Sequence, residues 1–455
     1  MANDQRPAGP GNRRPVREFR AMRNNMLGYF QNMAATYGDL SYVRFGMQKI
    51  FLFNHPDLIR DVLIQHNKHF AKSRGLIFAK KLLGDGLLTS EGEFHLQQRR
   101  MLQPLFHRER IATYGEVMAQ YANQHQIAWR DGSEVDIAAE MMQLTLKIAG
   151  KTLFDTELHT RTEQLATALA TAMELFPLFI LPFASILDKL PIPMARRFQQ
   201  AKRQMDDIIY EMIAEHRAGG SNRGDVLSML LNARDAESPN QRMSDQQIRD
   251  EALTLLLAGH ETTAIALSWT LDLLARHEIV LQKLQAEIDA ELGDSPPAAA
   301  DIARLPFTKM VFTEAMRLYP PAYIIGRQAL TEIEIAHTCI PKGATILMSP
   351  YLIHHDARFY DQPEQFNPDR WRHKAIESLP KYAYFPFGGG ARICIGEHFA
   401  WMEGILVLAT MVQNWQFQAI NPQPSSLDPS ITLRPKGGVP MRILRRQKRS
   451  YAKSA

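Results

Sequence analysis

A glycine-rich segment near the C-terminus, residues 385–396, contains the residues best suited to metal chemistry. It reads FPFGGGARICIG, and an amphipathic helical pattern follows it at residues 397–414. A cysteine at the start of a helix meets unpaired N–H groups and the positive end of the helix dipole, which lower its pKa and favour the thiolate. Glycine has no Cβ and lets the backbone approach another group closely. Cys394 is therefore a candidate thiolate ligand; the alternative is a buried structural thiol.

A second candidate site interrupts a long helical pattern at residues 244–277. The middle of this apolar stretch reads AGHETT, residues 258–263. Polar groups inside a buried helix are costly unless they are used or satisfied. A zinc motif H-E-x-x-H is excluded because Ala264 stands where its second histidine is required. One interpretation is that the Thr262 hydroxyl bonds back to the carbonyl of Ala258 and bends the helix. The other interpretation is that the block takes part in catalysis.

The glycine-rich segment resembles the haem-binding loop of the cytochrome P450 family, whose pattern is F-x-x-G-x-R-x-C-x-G. Its fixed positions are filled by Phe387, Gly390, Arg392, Cys394 and Gly396. The resemblance implies that the cofactor is haem b, that Cys394 is its axial thiolate ligand, and that Arg392 pairs with a haem propionate. Thiolate ligation pushes electron density onto iron and favours O–O cleavage.

The polar block of the long helix resembles the oxygen-activation pattern of the same family, A/G-G-x-D/E-T-T/S. The matching residues are Ala258, Gly259, Glu261, Thr262 and Thr263. The resemblance implies that Ala258 contacts the haem and that Gly259 opens a groove for dioxygen. Thr262 is then expected to hydrogen-bond the activated oxygen, and Glu261 to supply protons through water. Proton delivery to oxygen needs such a hydroxyl donor backed by an acid.

The resemblance also assigns further cations to the haem. The family commonly has tryptophan where His95 stands, and Arg99 follows one helical turn later on the same face. Histidine at this place occurs in many bacterial members, where both residues bind a propionate, so the substitution favours a prokaryotic origin. Arg327 is a further propionate candidate. Several cations directed at two carboxylates make chemical sense.

A third signature concerns the fold rather than catalysis. Glu314 and Arg317 are three residues apart on a predicted helix, and alone such a pair contributes about 0.2–0.5 kcal/mol. In the family this E-x-x-R pair joins an arginine of a later coil, which Arg370 supplies here. The three residues are expected to form a charge cluster that holds the fold.

The remaining pattern predicts a mainly α protein with a small β region, a single large domain over residues 1–455 with the cytochrome P450 fold. Residues 1–20 are expected to be a flexible N-terminal segment, and residues 442–455 a basic C-terminal tail. Helices dominate from about residue 92 to 319. The predicted strands are 41–44 and 49–53, which form a hairpin around Gly46, and 324–329, 332–336 and 344–348.

The composition excludes a disordered, a collagenous or a disulfide-scaffold protein. Hydrophobic residues make up 45% and charged residues 22%, as in ordinary soluble globular proteins. The net charge of +5 is weak evidence for nucleic acid, and no such partner is expected. Residues 1–20 lack an apolar segment, and the apolar stretch 175–187 is too short to span a bilayer, so no membrane anchor is expected. Two widely separated cysteines favour a reducing compartment, the cytoplasm.

The resemblance implies a monooxygenase that inserts one atom of O2 into a hydrophobic small molecule. The sequence has no flavin or iron–sulfur motif, so the electrons are expected to come from a separate ferredoxin or flavodoxin with its reductase. A mainly apolar pocket suits a terpene, steroid or fatty acid. The substrate contacts expected from family position are Phe78, Leu87, Phe176, Phe179, Leu255, Tyr323, Ile324 and Leu433.

Two other functions stay open at the level of the sequence. One is a peroxide-driven enzyme or a non-redox isomerase on the same scaffold. The other is a haem sensor or carrier without catalysis. The pair Glu261–Thr262 argues against both, because peroxide use dispenses with a proton relay and a binding protein does not need one.

Overall fold

The computed structural model describes residues 7–10, 15–154, 164–165, 167–172, 193–219, 224–235, 237 and 242–447. Two of the predicted substrate contacts, Phe176 and Phe179, lie outside these residues, and so does the side chain of Phe78. The basic tail predicted at 442–455 is described only as far as residue 447.

Helices make up most of the described chain, which confirms the predicted mainly α class with a small β region. Their bounds are α1 Pro15–Asn24, α2 Met26–Tyr37, α3 Pro56–Arg60, α4 Arg74–Leu83, α5 Gly92–Leu102, α6 Arg108–Gln126, α7 Ile137–Phe154, α8 Pro193–Ala218, α9 Val226–Asn232, α10 Asp245–Arg276, α11 Glu278–Leu292, α12 Pro306–Leu318, α13 Pro350–His354, α14 Ala375–Ser378 and α15 Glu397–Asn414.

The strands form one larger sheet of order β1-β2-β8-β5-β3, a sheet of order β4-β12-β9, and the pairs β6-β7 and β10-β11. Among the described residues, β2 pairs with β8 in parallel and the other strand pairs are antiparallel. The predicted hairpin is present, with Gly46 at a φ of 60° in its turn. The strand bounds are β1 Leu40–Phe45, β2 Gln48–Phe53, β3 Phe70–Lys72, β4 Glu134–Asp136, β5 Ile325–Ala329, β6 Ile333–Ile335, β7 Thr338–Ile340, β8 Thr345–Met348, β9 Trp415–Ala419, β10 Leu427–Pro429, β11 Leu433–Pro435 and β12 Pro440–Arg445.

Helix α10 runs through the interior for 32 residues, and it packs against α7, α12 and α15. It begins at a capping box, in which Ser244 and Gln247 each bond the backbone N–H of the other. The helix is buried over most of its length, with an accessible face at its middle around Ala258. The Thr262 hydroxyl donates to the carbonyl of Ala258 at 2.7 Å, and the helix continues without a break.

The three charged residues of the predicted cluster meet in the core at the end of α12. Arg317 donates twice to the Glu314 carboxylate, at 2.9 Å each, and Arg370 donates to it at 3.3 Å. The indole N–H of Trp371 adds a fourth bond at 2.9 Å. Arg317 also donates to the carbonyl of His354 at 2.7 Å. The cluster therefore ties α12 to the coil that precedes the glycine-rich segment.

A buried carboxyl group lies where α15 packs against α10. Glu403 is almost fully buried, and neither of its carboxyl oxygens has a hydrogen-bond partner of good geometry among the described residues. Burial raises the pKa of Glu403 to about 8, although the nearby Thr263 hydroxyl acts in the opposite direction. The folded protein therefore keeps this carboxyl group neutral at pH values where an exposed glutamate is ionised.

Replacing Glu403 with glutamine tests this neutral state through stability. The pKa is higher in the folded than in the unfolded chain, so the native protein loses stability as the pH rises from the unfolded towards the folded pKa. Glu403→Gln removes that loss. The variant should therefore gain stability relative to wild type between about pH 5 and pH 8, by at most about 4 kcal/mol.

The measurement is chemical denaturation at a series of pH values, with the exposed Glu116→Gln as the matched control. The control should track the wild type at each pH. A stability difference between Glu403→Gln and wild type that does not change with pH would show that Glu403 is already ionised in the folded protein.

Candidate functional site

The glycine-rich segment is held against the protein's own backbone. The N–H of Cys394 donates to the carbonyl of Phe387 at 3.0 Å and closes the loop. Gly390 has a φ of 68°, and a Cβ at this position would lie 2.0 Å from the carbonyl oxygen of Leu63. A Cβ at Gly389 would meet the ring of Tyr382 at 2.3 Å. These two glycines are therefore required by packing within the protein.

Cys394 lies at the start of α15, as the sequence predicts, but the expected direction of its pKa shift is wrong. Burial raises the pKa of Cys394 to about 11, and the bond from the backbone N–H of Gly396 only partly offsets this effect. The loss of solvation outweighs the dipole at the helix start. A cation bound at sulfur would be needed to hold the thiolate at neutral pH, as happens when a thiol coordinates a metal.

The Cys394 side chain remains accessible although protein atoms surround it. It borders a cavity of about 610 Å³ between the glycine-rich segment and the end of α5. The lining includes Arg99, Phe106, Arg108 and His398. A buried thiol that can be reached from a cavity has the exposure that a metal ligand requires.

Four basic residues predicted from the sequence gather beside this loop. His95 is buried on α5, and Arg99 donates to the carbonyl of Ile393 at 2.9 Å. Arg392 donates to the carbonyl of Ser90 at 2.9 Å and pairs with Glu91. The remaining cation of this set is Arg327, on strand β5.

Lys72 is a fifth basic residue of this cluster, and sequence reasoning missed it. Strand β3 pairs with β5 so that Lys72 lies opposite Arg327. The buried ammonium group donates to the carbonyl of Leu87 at 3.1 Å and to that of Leu88. No local motif marks this lysine, because its place in the cluster depends on strands far apart in the sequence.

The cluster contains more positive than negative charge. Burial and the neighbouring cations Arg392, Lys72 and Arg99 lower the pKa of His95 to about 3. Burial and then Arg392 lower the pKa of Arg327 to about 10. Burial and Arg392 likewise lower the pKa of Lys72 to about 7, although Glu91 and Glu251 oppose them. A ligand with two carboxylates suits such a cluster, and haem has two propionates.

The middle of α10 has an accessible face. Ala258 is exposed and Thr262 half-buried, whereas their neighbours Glu261 and Thr263 are buried. A Cβ added at Gly259 would meet no atom within 4 Å. A helix that is buried on either side of such a face must border a cavity there.

Glu261 has an unexpected partner. Its Oε1 accepts hydrogen bonds from the Thr432 hydroxyl at 2.6 Å and from the Arg434 guanidinium at 2.6 and 3.2 Å. Arg434 belongs to strand β11, and one third of its side chain is exposed. The carboxylate is thus committed to β11, and the predicted proton relay requires it to exchange this partner.

The predicted substrate contacts differ in their accessibility. Tyr323 and Leu433 lie in a core cluster, and the Tyr323 hydroxyl donates to the carbonyls of Pro429 and Ser430 at 3.0 and 2.9 Å. Ile324 packs at the edge of the same cluster and is half-buried. Leu87 and Leu255 are buried, and Leu255 lies one helical turn from Ala258. The structure thus brings Leu255 nearest to the accessible face of α10.

Comparison with known proteins gives a consistent result. The family model described as Cytochrome P450 matches residues 16–440. Cyclooctatin synthase from Streptomyces melanosporofaciens is 37% identical over 392 residues, which cover 84% of each chain. Pentalenene oxygenase from Streptomyces avermitilis is 34% identical and covers 85% of this chain and 86% of its own.

Comparison of the fold with solved structures points to the same family. The crystal structure of the cytochrome P450DA heme domain superposes with a TM-score of 0.83 at 28% identity, and the match covers 92% of each chain. Among the described residues, none of the helices combines the length and apolar content that a membrane span requires.

Membership of this family implies a cofactor and a reaction class. The cofactor is haem with an axial cysteine thiolate, and the reaction uses O2, a redox partner and a hydrophobic substrate. The fold and the matches over most of the chain agree with the donor set of the site. The chain therefore belongs to the cytochrome P450 family of haem-dependent monooxygenases.

Proposed function

We propose that Cys394 is the thiolate ligand of the haem iron and that the protein oxidises a terpene-like hydrocarbon. The observation that carries the proposal is the position of the accessible Cys394 thiol beside a buried cluster of cations. When bound, haem would supply the binding of dioxygen and the cleavage of its O–O bond. The protein supplies the ligand, the counter-charges, the protons and the pocket.

In this proposal the arginines and Lys72 supply the positive charge that holds the two propionates, and the neutral His95 supplies an N–H donor. His95 and Arg99 on α5, Arg327 on β5 and Arg392 in the loop have the roles implied by the family resemblance, and Lys72 joins them. Phe387 packs against Trp401 with ring centroids 5.8 Å apart, which fixes the loop on α15. A Cβ at Gly396 would lie 3.9 Å from the sulfur of Cys394, an ordinary van der Waals distance, so this position borders the thiol directly.

Thr262 and Glu261 are proposed to move protons. The Thr262 hydroxyl lies on the accessible face of α10, where it would hold or pass on a proton once its own bond to Ala258 rearranges. The Glu261 carboxyl group lies one residue away but is bound to Arg434. Proton transfer from bulk water through Glu261 therefore requires that the carboxylate releases Arg434 and accepts water.

A terpene is the substrate class that the relatives favour. Two similar proteins from Streptomyces melanosporofaciens and Streptomyces avermitilis are named cyclooctat-9-en-7-ol 5-monooxygenase and pentalenene oxygenase. The accessible face of α10 offers Ala258 and, one turn earlier, Leu255, which suit an apolar ligand. We therefore place a terpene before a steroid or a fatty acid, with Leu87 and Ile324 as further contacts.

The electron donor is proposed to be a ferredoxin or a flavodoxin that binds at the cavity beside Cys394. Arg99, Arg108, His107 and His398 line this cavity together with Glu109 and Glu397. The two arginines of the lining can pair with carboxylates of an acidic donor, although two glutamates balance their charge, and the position places the donor close to the proposed iron ligand. We propose the cytoplasm as location, since both cysteines are free in the structure.

Labelled dioxygen tests the proposed reaction. The haem-loaded protein is supplied with a ferredoxin or flavodoxin, its reductase and a panel of terpenes, steroids and fatty acids. A terpene product that contains one atom from the labelled O2 is expected. A product that forms with peroxide alone, and never with the reductant, would favour a peroxide-driven enzyme. The absence of oxygen consumption with any reductant would favour a sensor or carrier.

The proton pathway is tested by Glu261→Gln and Thr262→Ala, assayed with a panel compound that the labelled-dioxygen experiment shows to be oxidised. Both variants should release peroxide at the expense of product, since general acid catalysis contributes about a hundredfold or more. Thr262→Ser keeps the hydroxyl and is the matched control, which should stay coupled. Arg434→Gln removes the guanidinium that binds Glu261 and leaves the carboxyl group of Glu261 in place. Unchanged coupling in Glu261→Gln, with equal loss of stability in Glu261→Gln and Arg434→Gln, would assign Glu261 a structural role only.

A further inference from the structure

The N-terminal helix and the first hairpin together expose a group of large apolar side chains. Val16 on α1 is 80% exposed, and Met47 in the turn between β1 and β2 is 95% exposed. Phe19, one turn after Val16, is also exposed, and its ring packs edge-on against Phe45 with centroids 5.9 Å apart. This contact places α1 beside the hairpin turn, so the exposed side chains belong to one surface.

Arginines accompany these apolar residues on the same surface. Arg17, Arg20 and Arg23 are exposed on α1, and Arg44 is exposed at the end of β1. The helical repeat of 100° per residue places Arg20 and Arg23 next to Val16 and Phe19 on the outer side of α1. We name the surface formed by Val16, Phe19, Met47, Arg17, Arg20, Arg23 and Arg44 the N-terminal patch.

The inner side of α1 is different in character. Glu18 and Met22 are half-buried and lie one helical turn apart. The Glu18 carboxylate accepts a hydrogen bond from the Tyr29 hydroxyl at 3.0 Å, which holds it towards α2. Glu18 is the only acidic residue of α1, against three arginines. The N-terminal patch therefore combines exposed apolar side chains with a clear excess of positive charge.

We propose that the N-terminal patch binds the surface of an anionic lipid bilayer. Single exposed apolar residues are ordinary, but here they are surrounded by arginines on one helix face and a neighbouring turn. In this arrangement the exposed apolar side chains would enter the layer below the headgroups, and the arginines beside them would lie among the phosphates. A bare polyanion such as nucleic acid would offer no layer for Val16 and Met47.

Binding of this kind is peripheral, and the haem site takes no part in it. It would hold the pocket near the phase in which an apolar molecule such as a terpene concentrates. Charge complementarity selects anionic lipid, because each basic residue near such a surface contributes to binding and the contribution falls with ionic strength.

Co-sedimentation of the haem-loaded, full-length protein with vesicles tests the proposal. The vesicles contain phosphatidylcholine alone, or phosphatidylcholine mixed with phosphatidylserine. Binding to the mixed vesicles is expected at low ionic strength and should weaken as salt is added. The double variant V16D/R20Q should bind the mixed vesicles about tenfold or more weakly. M47D should also bind more weakly than the wild type.

A matched control makes the same two kinds of change elsewhere. Ile127 is 79% exposed and Arg130 is exposed beyond the end of α6, so I127D/R130Q alters charge and apolarity equally away from the N-terminal patch. This control should bind like the wild type, and all variants should keep the haem spectrum. Equal binding by V16D/R20Q and wild type would overturn the proposal, as would equal binding to both kinds of vesicle or no binding to either.

Discussion

Buried positive charge beside the Cys394 loop is the constraint on which the site depends. Burying an ionic group without a partner is strongly unfavourable. Here Arg392, Arg327 and Lys72 each lower the pKa of at least one neighbouring basic group. Glu91 balances only part of this charge. The Cys394 thiol has the complementary difficulty, because burial opposes its ionisation. In the proposed site, bound haem would resolve both, since its iron would stabilise the thiolate and its propionates would neutralise the cations.

The fold can be understood as the means of assembling that cluster. The pairing of β3 with β5 sets Lys72 opposite Arg327, and α5 contributes His95 and Arg99 from a different part of the chain. The Glu314–Arg317 cluster anchors the coil that leads into the loop. Helix α10 presents an accessible face at its middle, around Ala258. The attachment of Glu261 to β11 links that face to the C-terminal hairpin β10–β11.

Features that depend on neighbouring residues alone could be predicted from the sequence. The helical pattern that begins at residue 244 predicted the start of α10, the glycine at position 46 marked the first hairpin, and the loop pattern pointed to Cys394. Lys72, Glu403 and Arg434 were missed because their importance comes from partners that are remote in the sequence. The pKa of Cys394 was predicted in the wrong direction because a helix start is visible in the sequence, whereas the degree of burial is a property of the folded chain.

The central claim is that the Cys394 thiolate is the iron ligand, and the optical spectrum of the haem protein tests it most directly. The chain offers its own control, since Cys339 is also free and lies on β7. Cys394→Ser should lose the thiolate-haem spectrum of the ferrous carbon monoxide complex, whereas Cys339→Ser should retain it. A thiolate-haem spectrum that persists in Cys394→Ser, or disappears in Cys339→Ser, would contradict the assignment.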